Sequence, residues 1–139
     1  MNPEHYKEVF SLECIYFDAS SKYLFDDNKF DLIIHNHVLE HLAGNYDDHI
    51  REMVRVLKPN GRIVFTIPFF KKIKNTIQNG EYLNKEQRRS MFGQDDHYKI
   101  FGKDFLYYLN ELNGVNTEVI ALENFSSMDT VFIIKKENK

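Results

Sequence analysis

Two short apolar runs, Asp31-Leu32-Ile33-Ile34 and Arg62-Ile63-Val64-Phe65-Thr66-Ile67, flank a single amphipathic segment. Runs of that length between polar residues suit strands packed inside a sheet. Between them Leu39, Leu42, Ile50, Met53, Val54 and Leu57 recur at helical spacing, with a break near Gly44-Asn45. Lys58-Pro59-Asn60-Gly61 ends the helix, because Pro cannot continue it and Asn-Gly tolerates positive φ. Strand, helix, strand in this order predicts a parallel pair with helical cover.

The flanking segments extend this unit. Met1 to Phe10 reads as a short helix opened by Asn2-Pro3-Glu4, and Leu12 to Phe17 as a short strand. Asp18 to Asn28 is polar and turn-rich. Phe69 to Gly93 is charged and weakly periodic, an excursion or lid. Lys103 to Leu112 is an amphipathic helix with Phe105, Leu106 and Leu109 inward, ended by Asn113-Gly114. Val115 to Leu122 and Thr130 to Ile134 read as closing strands joined by the Asn124–Asp129 loop. The predicted class is α/β: a mostly parallel sheet with an antiparallel edge, in a single domain over residues 1–139.

Composition narrows the function classes. Lys plus Arg is 18 against 21 Asp plus Glu, a net charge of -3, so no basic stripe for nucleic acid is expected. Cys14 is the sole cysteine, which excludes an internal disulfide framework and a Cys-rich zinc site and fits a reducing compartment. No apolar run approaches the roughly 18 residues of a membrane span, and the N-terminus lacks a signal pattern. A cytoplasmic location with no membrane partner is the expectation.

In open α/β sheets, ligands bind beyond the carboxyl ends of the strands. Asp18-Ala19, His35-Asn36-His37 and Pro68-Phe69-Phe70 occupy that rim. His37 and His41 are one helical turn apart. Zinc on paired helical histidines would need a third ligand that the pattern does not supply, so no metal is expected, and helix capping or packing is the simpler reading of His35, His37 and His41. Cys14 has no activating neighbour for nucleophilic catalysis. Gln94-Asp95-Asp96-His97-Tyr98 is a second polar cluster, able to bind a metal or position a substrate, or to be a solvated loop before the Lys103–Leu112 helix. The basic residues Lys71, Lys72, Lys74, Arg88 and Arg89 read as a solvated face or as neutralisers of an anionic substrate.

The stretch Phe30-Asp31-Leu32-Ile33-Ile34-His35-Asn36-His37-Val38-Leu39-Glu40-His41-Leu42 resembles the fourth-strand motif of class I S-adenosylmethionine-dependent methyltransferases. Arg51 to Pro68 is similar to the helix, turn and fifth strand that follow there, and Ile100-Phe101-Gly102 to the region before the last strands. The resemblance implies a Rossmann-like sheet and S-adenosyl-L-methionine as cofactor. It implies that Asp18 and Ala19 read the adenine, that Asn36 and His37 flank the methionine end, and that His37 is the candidate base, with His97 a weaker one. A small-molecule methyl acceptor is implied.

The same resemblance places the family's first strand, Gly-rich loop and ribose-binding acid ahead of Asn2-Pro3-Glu4, and no glycine precedes Gly44. The expectation is therefore an N-terminally truncated domain. Lacking two or three charge-assisted hydrogen bonds of roughly 1.5–3 kcal/mol each, it would bind cofactor orders of magnitude more weakly. Two readings follow: an enzyme active only with an added N-terminal half, or a non-catalytic remnant acting as a dimerisation or interaction module. Either leaves Asp31–Ile34 at an open edge, to be covered by the Leu12–Phe17 strand or by a homodimer or partner chain.

Overall fold

The computed structural model describes residues 15–120 and 130–138. Four strands form one sheet in the order β1-β2-β4-β3: β1 (Phe30–Asn36), β2 (Leu57–Thr66), β3 (Val115–Ile120) and β4 (Val131–Lys136). Helices α1 (Tyr46–Val56), α2 (Lys85–Phe92) and α3 (Asp104–Glu111) complete it, with 3₁₀ turns at Leu39–His41 and Gly80–Tyr82. The proposed Met1–Phe10 helix, Cys14 and the Asn124–Asp129 loop lie outside the described residues.

β1 and β2 are parallel, with Ile33 beside Ile63 and His35 beside Phe65. β4 is antiparallel to both β2 and β3. The expected antiparallel edge is present, with the last strand inserted inside the sheet and β3 outermost. The Lys58–Gly61 turn is built into the start of β2. While β1 advances from Phe30 to Leu32, β2 advances from Leu57 to Arg62, so the intervening residues loop out of the ladder. Asn60 sits there at φ 63°. A Cβ on Gly61 would lie 2.9 Å from the Leu57 side chain and from the Lys58 carbonyl, so only glycine fits.

Local chemistry sets the helix limits. The Asn45 side chain accepts from Asp47 N at the start of α1, and Asp47 and Asp48 favour its positive end. At the other end Lys136 Nζ donates to the carbonyls of Val54 and Leu57, both at 2.8 Å. α2 opens on a capping box, Asn84 with Gln87, and stops at Gly93 in the left-handed region. The Asp104 carboxylate accepts from Thr76 N and Oγ1, tying the first turn of α3 to the preceding loop.

One face of the sheet carries the core. Ile63, Phe65, Phe132 and Ile134 pack with Ile50, Met53 and Val56 of α1 and with Phe105 and Leu109 of α3. Phe105 is fully buried and meets Tyr46, Phe65, Phe101 and Phe132 edge-on. Strand alternation sends Leu32, Ile34, Val64 and Ile133 to the opposite face. There Leu32 is 51% and Ile34 69% exposed.

One strand expectation needs correction. Residues 15–17 form no strand, and among the described residues β1 pairs with β2 alone. Phe17 instead turns its ring onto Tyr23 and Phe25, each 5.2 Å away, and Phe25 stacks edge-on against Phe30. Aromatic packing along the chain takes the place of ladder bonds to β1. Arg55 holds this segment down through the Tyr23 and Phe25 carbonyls and Asp27. Replacing Phe105 with Ala leaves a ring-sized hole among five aromatic neighbours. We expect a loss of about 3–5 kcal/mol in urea unfolding, read as a lower midpoint at unchanged slope.

Candidate functional site

The parallel ladder carries β1 and β2 to a common rim, where His37 N donates to Thr66 O at 3.2 Å. His37 holds φ at 50°, a left-handed conformation that a non-glycine residue adopts under constraint. Its Nδ1 lies 2.9 Å from Glu40 Oε1. Glu40 is fully buried, and its Oε2 has no partner. Tyr98 N donates to the Glu40 carbonyl at 2.7 Å, which brings the Gln94–Tyr98 segment onto the same rim. There the His97 ring meets His41 edge-on at 4.7 Å, with His97 only 4% exposed.

The basic residues at 88 and 89 act on that segment. Arg88 Nε donates to the Asp95 carbonyl at 2.6 Å, and Arg89 pairs with the Asp95 carboxylate at 2.9 Å. The guanidinium of Arg88 also stacks over Tyr98. Two arginines that read as a solvated face thus fix the loop holding His97. Lys99 is buried, donates to the Leu42 carbonyl, and is pushed down to about 8 by that burial. Burial also lowers His97, with His41 adding to the effect, so the His97 ring stays neutral near pH 7.

The other predicted site residues lie apart from this cluster. Ala19 lines an apolar groove of about 340 Å³ with Tyr23, Ile33, Ile34, His35 and Leu39, running along the free edge of β1. That volume is at the small end for ligand pockets. The Asp18 Oδ1 atom accepts from Ser20 N and Oγ at 2.9 and 2.7 Å, which lowers its pKa. Asn36 Oδ1 accepts from Thr66 Oγ1. The structure therefore joins His37 and His97 through Glu40, and places Ala19 against β1 in a separate groove. Lys99 carried no sequence signal as a site residue, and Glu40 carried one only as part of the fourth-strand resemblance. Their burial follows from tertiary contacts alone.

A family model described as a methyltransferase domain matches residues 2–65. The chain is built on the fold of the class I S-adenosylmethionine-dependent methyltransferases. Among solved structures it is similar to the CurJ carbon methyltransferase, with 15% identity and a TM-score of 0.64, covering 97% of this chain and 38% of that one. It is similar to a Haloferax volcanii protein crystallised with the Trm112 methyltransferase activator, with 12% identity, a TM-score of 0.61, and 98% and 66% coverage. A third is the Burkholderia thailandensis 1,6-didemethyltoxoflavin N1-methyltransferase with bound S-adenosylhomocysteine, with 15% identity, a TM-score of 0.55, and 91% and 50% coverage. The methyltransferase-fold chain thus spans between about two-fifths and two-thirds of the length of these proteins. No curated protein sequence matches it. No helix among the described residues is long and apolar enough to cross a membrane.

His35 gives this site a pH signature. Its ring stacks on Phe65 at 4.9 Å, neither nitrogen has a partner, and burial pulls its pKa down to about 4. The unfolded chain takes up a proton near 6.5 and the folded one does not, so stability is full above 6.5 and is lost as pH falls towards 4. The shift corresponds to at most about 3 kcal/mol. We expect His35→Phe, which keeps the stacking, to lose about 2 kcal/mol less than the parent between pH 7 and pH 4.5 in urea unfolding.

Proposed function

We propose that this chain is an S-adenosylmethionine-dependent methyltransferase acting on a small molecule, or the cofactor-site half of one. The reading also holds that tight cofactor binding needs further polypeptide against the free edge of β1. The observation that carries it is that edge. Among the described residues β1 pairs on one side only, with Leu32 and Ile34 exposed beside the groove that Ala19 lines, and such an apolar strand invites a partner. A homodimer, or a partner chain in the manner of the activator complex named for the Haloferax protein, would meet that need. The single cysteine fits a cytoplasmic setting.

The residues present fit part of the cofactor. The groove's apolar wall, which includes Ala19, suits an adenine ring, and Asp18 is next to it in the chain though not among the lining residues. Asp18 would have to leave its turn with Ser20 or use its second oxygen. Asn36 and His37, at the end of β1, would meet the methionine end. When bound, the cofactor supplies an electrophilic methyl group on sulfonium.

His37 is placed to hold the acceptor's proton. An ionised Glu40 only accepts, so Nδ1 carries hydrogen towards Oε1 and Nε2 keeps its lone pair. A half-exposed imidazole oriented by a buried carboxylate is the arrangement a general base requires. His97, enclosed behind Glu40 and His41, has less access to an acceptor.

Titration of the 139-residue chain with S-adenosylhomocysteine tests both parts. Calorimetry should show no saturation below about 1 mM, equivalent to roughly -4 kcal/mol. Amide spectra at several times that concentration should shift at Ala19, Asn36 and His37. Micromolar binding by a monomer, established by light scattering, would remove the need for added polypeptide. Unmoved resonances at all three positions would remove the methyltransferase reading. A stable dimer with unmoved resonances would favour the interaction-module alternative.

A further inference from the structure

We propose that Glu40, His41 and His97 form a binding site for one divalent transition-metal ion at the carboxyl end of β1. One ligand atom from each residue lies within 4.8 Å of the other two. Two imidazoles and one carboxylate are a donor set that Zn²⁺ and Fe²⁺ accept while keeping positions open for an outside ligand. A bound ion at about 2.0–2.2 Å from each donor draws them to roughly 3.4 Å apart, a small side-chain adjustment.

Two independent features point to an ion rather than to a closed hydrogen-bond network. Glu40 Oε2 and His97 Nδ1 are both buried, on residues 0% and 4% exposed, and neither has a partner. Buried polar atoms of this kind are ordinarily paired, and a shared cation would satisfy both at once. The surrounding contacts leave these atoms available. Glu40 Oε1 is taken by His37 Nδ1, which leaves Oε2. His41 Nδ1 donates to the Asp96 carbonyl at 3.1 Å, which leaves the Nε2 lone pair. Ligating histidines usually donate their second nitrogen in this way. The nearby ammonium of Lys99 is directed to the Leu42 carbonyl and makes no bond to Oε2. His37 and Asp96 are positioning residues here. Arg88 and Arg89 extend the support by fixing Asp95, two residues before His97.

The sequence concealed this set because the ligands divide between the turn after β1 and a loop beyond α2. His37 and His41, the pair that helical spacing suggests, serve different purposes. One orients the carboxylate and the other ligates. The site stands independently of the cofactor reading, since metal uptake and S-adenosylhomocysteine binding are separate measurements on the same chain.

The test uses the full chain without a histidine tag, stripped with chelator and titrated with Co²⁺. We expect one equivalent to bind, with the visible absorption of low-coordinate Co²⁺, and one equivalent of Zn²⁺ to displace it. His97→Gln and Glu40→Gln should each weaken binding at least 30-fold, about 2 kcal/mol, while His49→Gln leaves it unchanged. Should those variants unfold, ring ¹⁵N spectra of the parent chain decide the matter. Zn²⁺ should move the His41 and His97 ring nitrogens and leave those of His35 and His49 in place. Absence of saturable uptake, equal affinity in folded His97→Gln, or ring shifts confined to other histidines would each overturn the proposal.

Discussion

The parallel pairing of β1 with β2 is the constraint on which the rest of the molecule depends. Ile33 beside Ile63 and His35 beside Phe65 put alternate residues of both strands into the aromatic core. A slip of one residue would turn Leu32 and Ile34 inward and expose Ile33 and His35, reversing the burial of the whole strand. The same register ends both strands together, so that the His37 amide reaches the Thr66 carbonyl and the Glu40–His41 turn begins at the rim. Core and site are thus set by one ladder.

The aromatic core explains how a sheet of four strands holds this register. Phe65, Phe69, Phe101, Phe105 and Phe132 are all fully buried and meet mostly edge to face. Rings in that arrangement fill volume and fix mutual angles more closely than aliphatic contacts. The rim benefits directly. The Phe69–Phe101 bridge and the Phe70–Phe101 hydrogen bond pin the Tyr98–Phe101 segment to the end of β2, and Tyr98 in turn bonds to Glu40. His97 is therefore carried to the rim by backbone bonds on both sides of the core.

The elements legible in the sequence are those with local periodicity. β1, α1, the Pro-Asn-Gly turn and α3 follow from apolar spacing and from caps and stops within a few residues. The features that escaped reading are non-local. Nothing near Val131–Lys136 says that it pairs with β2 as well as with its chain neighbour β3, since β2 lies far off in the chain. Leu12 to Phe17 has a strand's composition, yet its described residues, 15–17, form no strand, and Phe17 packs its ring on Tyr23 and Phe25. At the site, His37 and His97 were both candidates. Their connection through a buried Glu40 depends on a loop fold that no spacing encodes.

The polar assemblies at the far end of α1 differ from the one at this rim in how completely they are satisfied. Lys136 donates to the Val54 and Leu57 carbonyls and to Asn28 Oδ1 and so caps the end of α1. Arg55 likewise has every bond it needs among Glu52, Asp27 and the carbonyls of Tyr23 and Phe25. Both are structural devices. In the Glu40–His41–His97 group one Glu40 oxygen is held by His37 and His41 Nδ1 by the Asp96 carbonyl, while the buried Glu40 Oε2 and His97 Nδ1 have no partner. The buried Glu40 Oε2 and His97 Nδ1 atoms at the carboxyl end of the parallel pair are the ones the proposed ion would engage.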